Sequence, residues 1–163
     1  MNHADLIQRA EKWVSRQHYN KLTSEIVSSC GVILPEFKTY NPSIPDVIGF
    51  NSTRSIVIEC KVSRADFQAD RKKGHRHYIK QLGNYRYYMV LPHIVSVNDV
   101  PEGWGLIYVF AGSSRIVKYA PLHQEPEVKV VEYGLLYSIA RRIALRGMLP
   151  DIRKPLKYPP VWP

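Results

Sequence analysis

The segment that most constrains the fold of this chain runs from Pro45 to Lys61. Two β-branched, apolar runs, 46–50 and 55–62, flank the polar tetrad Asn51-Ser52-Thr53-Arg54. Such runs separated by a short polar turn specify a β-hairpin. With Ser52 and Thr53 as the two loop residues, Asp46 opposes Glu59, and opposed side chains of an antiparallel pair have Cβ atoms about 4.5–5.5 Å apart. Lys61 lies two residues beyond Glu59 and shares its face of the sheet. The pattern therefore predicts two carboxylates and an ammonium at one end of a hairpin. Apolar Ile56, Ile58 and Val62 around them mark an interior strand with its charge at the end.

Two carboxylates held that close repel unless a cation separates them. Hard divalent ions of the Mg²⁺ kind bind through one or two carboxylates, completing their shell with water and phosphate oxygens. A neighbouring lysine supplies a donor that orients a water, and these are the parts of metal-assisted phosphodiester hydrolysis. Taken alone, Glu-x-Lys on a strand also reads as a solvated ion-pair stripe, since short motifs have many chance matches.

The rest of the chain bounds the setting. Its 163 residues, 45% hydrophobic, suffice for one domain with a core, read as 1–149, followed by a proline-rich arm, 150–163. Lys and Arg number 23 against 14 Asp and Glu, a formal net charge of +9. That excess points to a polyanionic partner, nucleic acid before an anionic membrane. Cys30 and Cys60 stand in apolar contexts without zinc-site spacing and read as buried thiols of a reducing, cytoplasmic setting. No signal-peptide pattern opens the sequence, and no run approaches the ~18–20 apolar residues of a membrane span.

Helical spacing of Leu6, Ile7, Ala10, Trp13 and Val14 predicts a helix over 4–17. A second is expected over 22–29, ending at Gly31, followed by a strand over 32–40 that Pro35 places at an edge or bend. After Lys61, Ser63 and Asp66 resemble a capping box at the head of a helix over 64–73, with another short helix over 75–82. Strands are expected at 85–91, 105–110 and, more weakly, 116–120, then a helix over 133–146 with Leu135, Leu136, Ile139, Ala140 and Ile143 inward. The sum is a mixed α/β sandwich around about five strands.

Pro45-Asp46, thirteen residues later Glu59-Cys60-Lys61, and the continuation Val62-Ser63-Arg64-Ala65-Asp66-Phe67-Gln68-Ala69-Asp70-Arg71-Lys72 together resemble the PD-(D/E)XK nuclease superfamily, in particular its MmcB-like DNA-repair branch. The resemblance covers about residues 22–110 and implies a restriction-endonuclease-like, three-layer α/β/α fold with a central mixed sheet. It implies that Asp46 and Glu59 hold Mg²⁺ or Mn²⁺, that the backbone carbonyl of Cys60 completes the metal shell, and that Lys61 serves the attacking water. A glutamate on the helix before the first strand often joins that site; Glu25 occupies the position, where it reads equally as a solvated helix charge. Glu36 is a weaker candidate.

From Lys61 to Arg86 eight basic residues face two acidic ones, so this stretch carries six of the nine surplus charges. Arg64, Arg71, Lys72, Lys73 and Arg76 are the expected contacts to a DNA backbone, which position a strand without reading its sequence. Tyr78, Tyr85, Tyr87 and Tyr88 read as base-stacking residues or, in strands that favour aromatics, as core. The expected activity is a metal-dependent deoxyribonuclease of DNA repair, recombination or phage DNA processing. The rival is a binding factor that keeps the fold without turnover. Oligomeric state stays open, a homodimer being one way for a small nuclease to cut both strands.

Overall fold

The computed structural model describes residues 1–21, 24–38, 45–72 and 82–154, with the backbone alone at 71 and 72. Helix α1 (His3–Ser15) opens the fold. Asn2 accepts the Asp5 N–H and Asp5 returns the bond to the Asn2 N–H, so two free amides of the first turn are satisfied. Its predicted stripe, Leu6, Ile7, Ala10, Trp13 and Val14, is the buried one.

Strands β1 (His18–Tyr19) and β2 (Ile26–Ser28) form a small antiparallel pair. Here the structure departs from expectation: residues 26–28 are a strand, not the body of a helix over 22–29. Ser24 has φ +57° and Asn20 N–H binds the Glu25 carbonyl, closing a turn that directs the chain back along β1.

The main sheet has six strands against the expected five or so, in the order β3 (Val32–Pro35), β4 (Val47–Phe50), β5 (Ser55–Lys61), β6 (Tyr85–Val90), β7 (Gly105–Val109), β8 (Ser114–Lys118). β5, β6 and β7 run parallel and the remaining neighbours antiparallel, so the sheet is mixed. Pro35 closes the edge strand β3, where its missing N–H breaks no interior ladder. The hairpin register is the predicted one: Phe50 pairs with Ser55, Ile48 with Val57 and Val47 with Ile58. Asn51 fixes the turn by accepting the N–H groups of Thr53 and Arg54 at 3.0 and 2.7 Å.

All seven residues of β5 and all six of β6 are buried, as parallel interior strands covered on both faces require. Ile56, Ile58, Cys60, Tyr85, Tyr87 and Met89 face α1. Val57, Tyr88, Val90 and Leu106 face the other way, onto Phe67 of α2 (Arg64–Lys72), Trp104, and Leu135 of α3 (Pro126–Leu145). Helices therefore cover both faces of the sheet. Tyr85, Tyr87 and Tyr88 are core, which removes them as base-stacking residues; Tyr88 stacks on Trp104 at 4.6 Å and meets the Phe67 ring edge-on at 5.0 Å. Gly105 is required by this packing, because a Cβ there would fall against the Tyr87 ring and the Ala120 amide.

α3 begins seven residues before its predicted start, with Pro126 in its first turn. Leu135 is buried, but Leu136 and Ala140 are exposed. A short turn, α4 (Leu149–Ile152), crosses the expected boundary at 149/150. The predicted helix over 75–82 and most of the proline-rich arm lie outside the described residues. Among the described residues no helix is long and apolar enough to cross a membrane.

Candidate active site

The last residues of β5 and the bend before β4 meet at one end of the sheet. Alternation along β5 places Glu59 and Lys61 on the face of Val57, opposite Ile58 and Cys60. Asp46 precedes Val47 and sits beside this strand end. Its Oδ2 accepts the Cys60 N–H at 2.7 Å, and its backbone carbonyl accepts the Glu36 N–H at 2.9 Å. The aspartate is thus held from both neighbouring strands. The structure brings together the three residues the sequence paired: Asp46, Glu59 and Lys61.

Lys61 Nζ lies 3.0 Å from Glu59 Oε2 and 3.6 Å from Asp70 Oδ1. Glu59 Oε1 is buried and has no hydrogen-bond partner among the described residues. A buried carboxylate oxygen left unpaired is costly, and such an atom marks a place where a ligand or ion is wanted. Burial pushes the Glu59 carboxyl up to about 8, against the attraction of Lys61 and with the repulsion of Asp46 and Asp70. Burial likewise raises Asp46, while Lys61 and the Cys60 N–H pull it back. For Lys61 burial works toward the neutral amine, but the carboxylates of Glu59, Asp46 and Asp70 outweigh it and hold the ammonium charged. The end of β5 therefore holds a largely buried cluster in which three carboxyl groups surround one ammonium.

Two residues join the group that sequence reasoning had not placed there. Asp70 points from α2 at Lys61, and the Tyr88 hydroxyl stands 3.4 Å from its Oδ2. The signal was present in the spacing: Phe67 is the apolar residue that α2 sends into the core, and Asp70 follows it by three, on the same helix face. His3, with Nε2 3.3 Å from Asp46 Oδ1, comes from the first turn of α1 and had no signal in the sequence. Ser63 caps α2 through the Asp66 N–H at 3.1 Å, as expected, although Asp66 turns back to the Val62 N–H rather than to that of Ser63.

Glu25 is corrected. It lies beside β2, not on a helix, and its carboxylate binds Arg54 Nη2 at 3.3 Å and the Tyr85 hydroxyl at 3.2 Å. Those partners stand at the start of β5 and β6, about 13 Å along the strand from Glu59, so Glu25 is no ligand of this site. Glu36 is exposed and contributes its backbone N–H. Among the described residues no three His, Cys, Asp or Glu side chains stand together as a ready metal cage.

The basic surplus is partly internal. Arg64 forms a forked pair with Asp99, at 2.9 and 3.1 Å. Lys61 is buried among carboxylates, and Arg86 is buried with Nε donating to the Leu82 carbonyl at 2.7 Å. Arg71 and Lys72 lie on the last turn of α2; Lys73 and Arg76 lie outside the described residues.

No protein-family model matches the chain, and no curated protein does. Among solved structures it is similar to the SPO1766 protein of unknown function from Silicibacter pomeroyi, with a TM-score of 0.51 and 30% sequence identity. The match covers 78% of this chain and 85% of that one. Identity of this size over most of both chains, on a shared fold, means that this chain belongs to the family of the Silicibacter pomeroyi protein.

Proposed function

We propose that the chain is a metal-dependent nuclease that hydrolyses phosphodiester bonds of DNA, on a restriction-endonuclease-like fold of the PD-(D/E)XK type, acting in DNA repair, recombination or phage DNA processing. The observation that carries this reading is the convergence of Asp46, Glu59 and Lys61 at one strand end, with Glu59 Oε1 buried and without a partner among the described residues. Clustered carboxylates with an oxygen that no described residue satisfies are a donor set suited to a hard divalent cation. Asp46 and Glu59 would hold Mg²⁺ or Mn²⁺, with the Cys60 carbonyl beside them. When bound, the ion supplies Lewis-acid stabilisation of charge on the phosphate oxygens.

The chain's own residues do the rest. The Cys60 N–H and His3 fix the Asp46 carboxylate from two sides. Glu59 is buried at the end of β5, where the low local dielectric strengthens its pairing with Lys61. Lys61, kept charged by three carboxylates, presents N–H donors to a water or a phosphate oxygen at the strand end. Hydrolysis places the water's oxygen on phosphorus, breaks one P–O ester bond and leaves the proton with the departing oxygen.

The test is cleavage of plasmid, linear and single-stranded DNA with Mg²⁺ or Mn²⁺. Lys61→Ala is expected to lower the rate about 100-fold or more, in the range set by general acid–base groups. Unchanged cleavage in that variant overturns the role given to Lys61. Asp46→Asn is expected to abolish metal uptake in calorimetry.

A second reading has its own observation. Lys61 already neutralises Glu59 and leans on Asp70, as a structural ion pair does. A DNA-binding factor that retains the fold without catalysis would bind DNA in a salt-dependent way, take up no divalent ion and cut nothing.

A further inference from the structure

α3 carries a stripe of large side chains that nothing in the described structure covers. Val130 is 71% exposed, Tyr133 73% and Tyr137 58%. They do not belong to the buried face of the helix, which runs through Val128 and Leu135. At 100° per residue, Glu127, Val130, Gly134, Tyr137 and Arg141 fall within one arc of about 80° turned away from the buried residues, with Tyr133 flanking it. Steps of three and four residues keep these side chains on one helix face, with Val130 and Tyr137 as its apolar members.

Gly134 sits in the middle of this arc. Glycine inside a helix costs about 1 kcal/mol relative to alanine. The described residues do not require it, because a Cβ there would meet none of their atoms within 4 Å. A glycine at the centre of an exposed apolar stripe suits the close approach of a backbone from outside the molecule.

The stripe is complementary to itself. If a second α3 runs antiparallel with the two Gly134 residues on the symmetry axis, Glu127 of each copy meets Arg141 of the other. Val130 of each copy meets Tyr137 of the other. A two-fold axis repeats each contact twice, as isologous interfaces do. A parallel pairing would instead set glutamate against glutamate and arginine against arginine. We infer that α3 is the homodimer interface of this protein, an antiparallel helix pair centred on Gly134 whose partner is a second copy of the chain. The inference is independent of the proposed nuclease activity, since none of these residues lies in the Asp46–Glu59–Lys61 group.

Sedimentation equilibrium of the full chain is expected to show a concentration-dependent dimer. Tyr137→Glu is expected to leave a monomer with an unchanged circular-dichroism spectrum, since the residue is exposed. Arg141→Glu sets like charges together at both ends of the interface and is expected to weaken association roughly tenfold or more. Adding Glu127→Arg to it is expected to restore the dimer. Gly134→Cys is expected to form a disulfide-linked dimer on mild oxidation, the native Cys30 and Cys60 being buried. A wild-type monomer at the highest soluble concentration overturns the inference. So does a charge-exchanged double variant that stays as weak as Arg141→Glu. So does a Tyr137→Glu chain that dimerises normally but loses binding to an oligonucleotide, which would give the stripe to nucleic acid instead.

Discussion

At the scale of single residues, the behaviour of Lys61 follows from the acids around it. Burial alone would favour its neutral amine, yet Glu59 at 3.0 Å and Asp70 at 3.6 Å keep it charged and aimed. Asp70 reaches the amine from α2 and positions it. Asp70→Asn is therefore expected to slow turnover of the proposed reaction by about 10- to 100-fold, the usual cost of losing a group that orients another. Metal affinity in the same variant should stay near that of the parent, unlike in Asp46→Asn. Calorimetry beside single-turnover rates separates the two, and equal loss of metal in both variants would refute the positioning role.

At the scale of elements, α2 is fastened to the sheet at three points. Ser63 caps its first turn, Phe67 enters the core against Tyr88, and Arg64 reaches across to the Ser96–Asp99 turn. The Arg64 hydrogen bonds, then those from Ser96, hold the Asp99 carboxyl well below the usual carboxylate range. A carboxylate whose folded pKa is depressed adds stability above its unfolded pKa, about 3.9, and loses it as pH falls through the folded value. Arg64→Ala is thus expected to raise the Asp99 pKa, and the acid-unfolding midpoint should move to higher pH. Carboxyl-detected NMR titration of Asp99 measures the first directly; a titration curve unmoved by the substitution would show that Ser96 alone sets it. Arg64 was expected to hold a DNA phosphate, but this fork already gives its guanidinium a protein partner.

At the scale of the whole molecule, the formal charge of +9 overstates what a polyanion would meet. Lys61 and Arg86 are buried and Arg64 is paired with Asp99, which leaves Arg71, Lys72, Lys73 and Arg76 as the contacts proposed for DNA. Four phosphate contacts release counterions with a slope of log K against log salt of about −3.6 on duplex DNA. Filter binding or anisotropy over a salt series is expected to give that slope. Lys72→Ala should reduce its magnitude by about 1, uniformly across sequences. A slope near zero would remove nucleic acid as the partner.

What the sequence by itself determined is what short separations encode. Alternation at two residues and a four-residue polar turn placed Val47 against Ile58, and with it Asp46 beside the end of β5. Helical spacing marked the buried stripe of α1, and Ser63 announced the start of α2. Only the tertiary structure decided the rest. Residues 26–28 became a strand because β1 offered its edge, a partner that local propensity does not record. Glu25 went to Arg54 and Tyr85, and Asp70 to Lys61. Leu136 and Ala140 were left outside because α3 meets the sheet along a different face from the one its apolar residues suggested. Periodicity fixes which side of an element a residue occupies; the partner it meets there is chosen by packing between segments far apart in the chain.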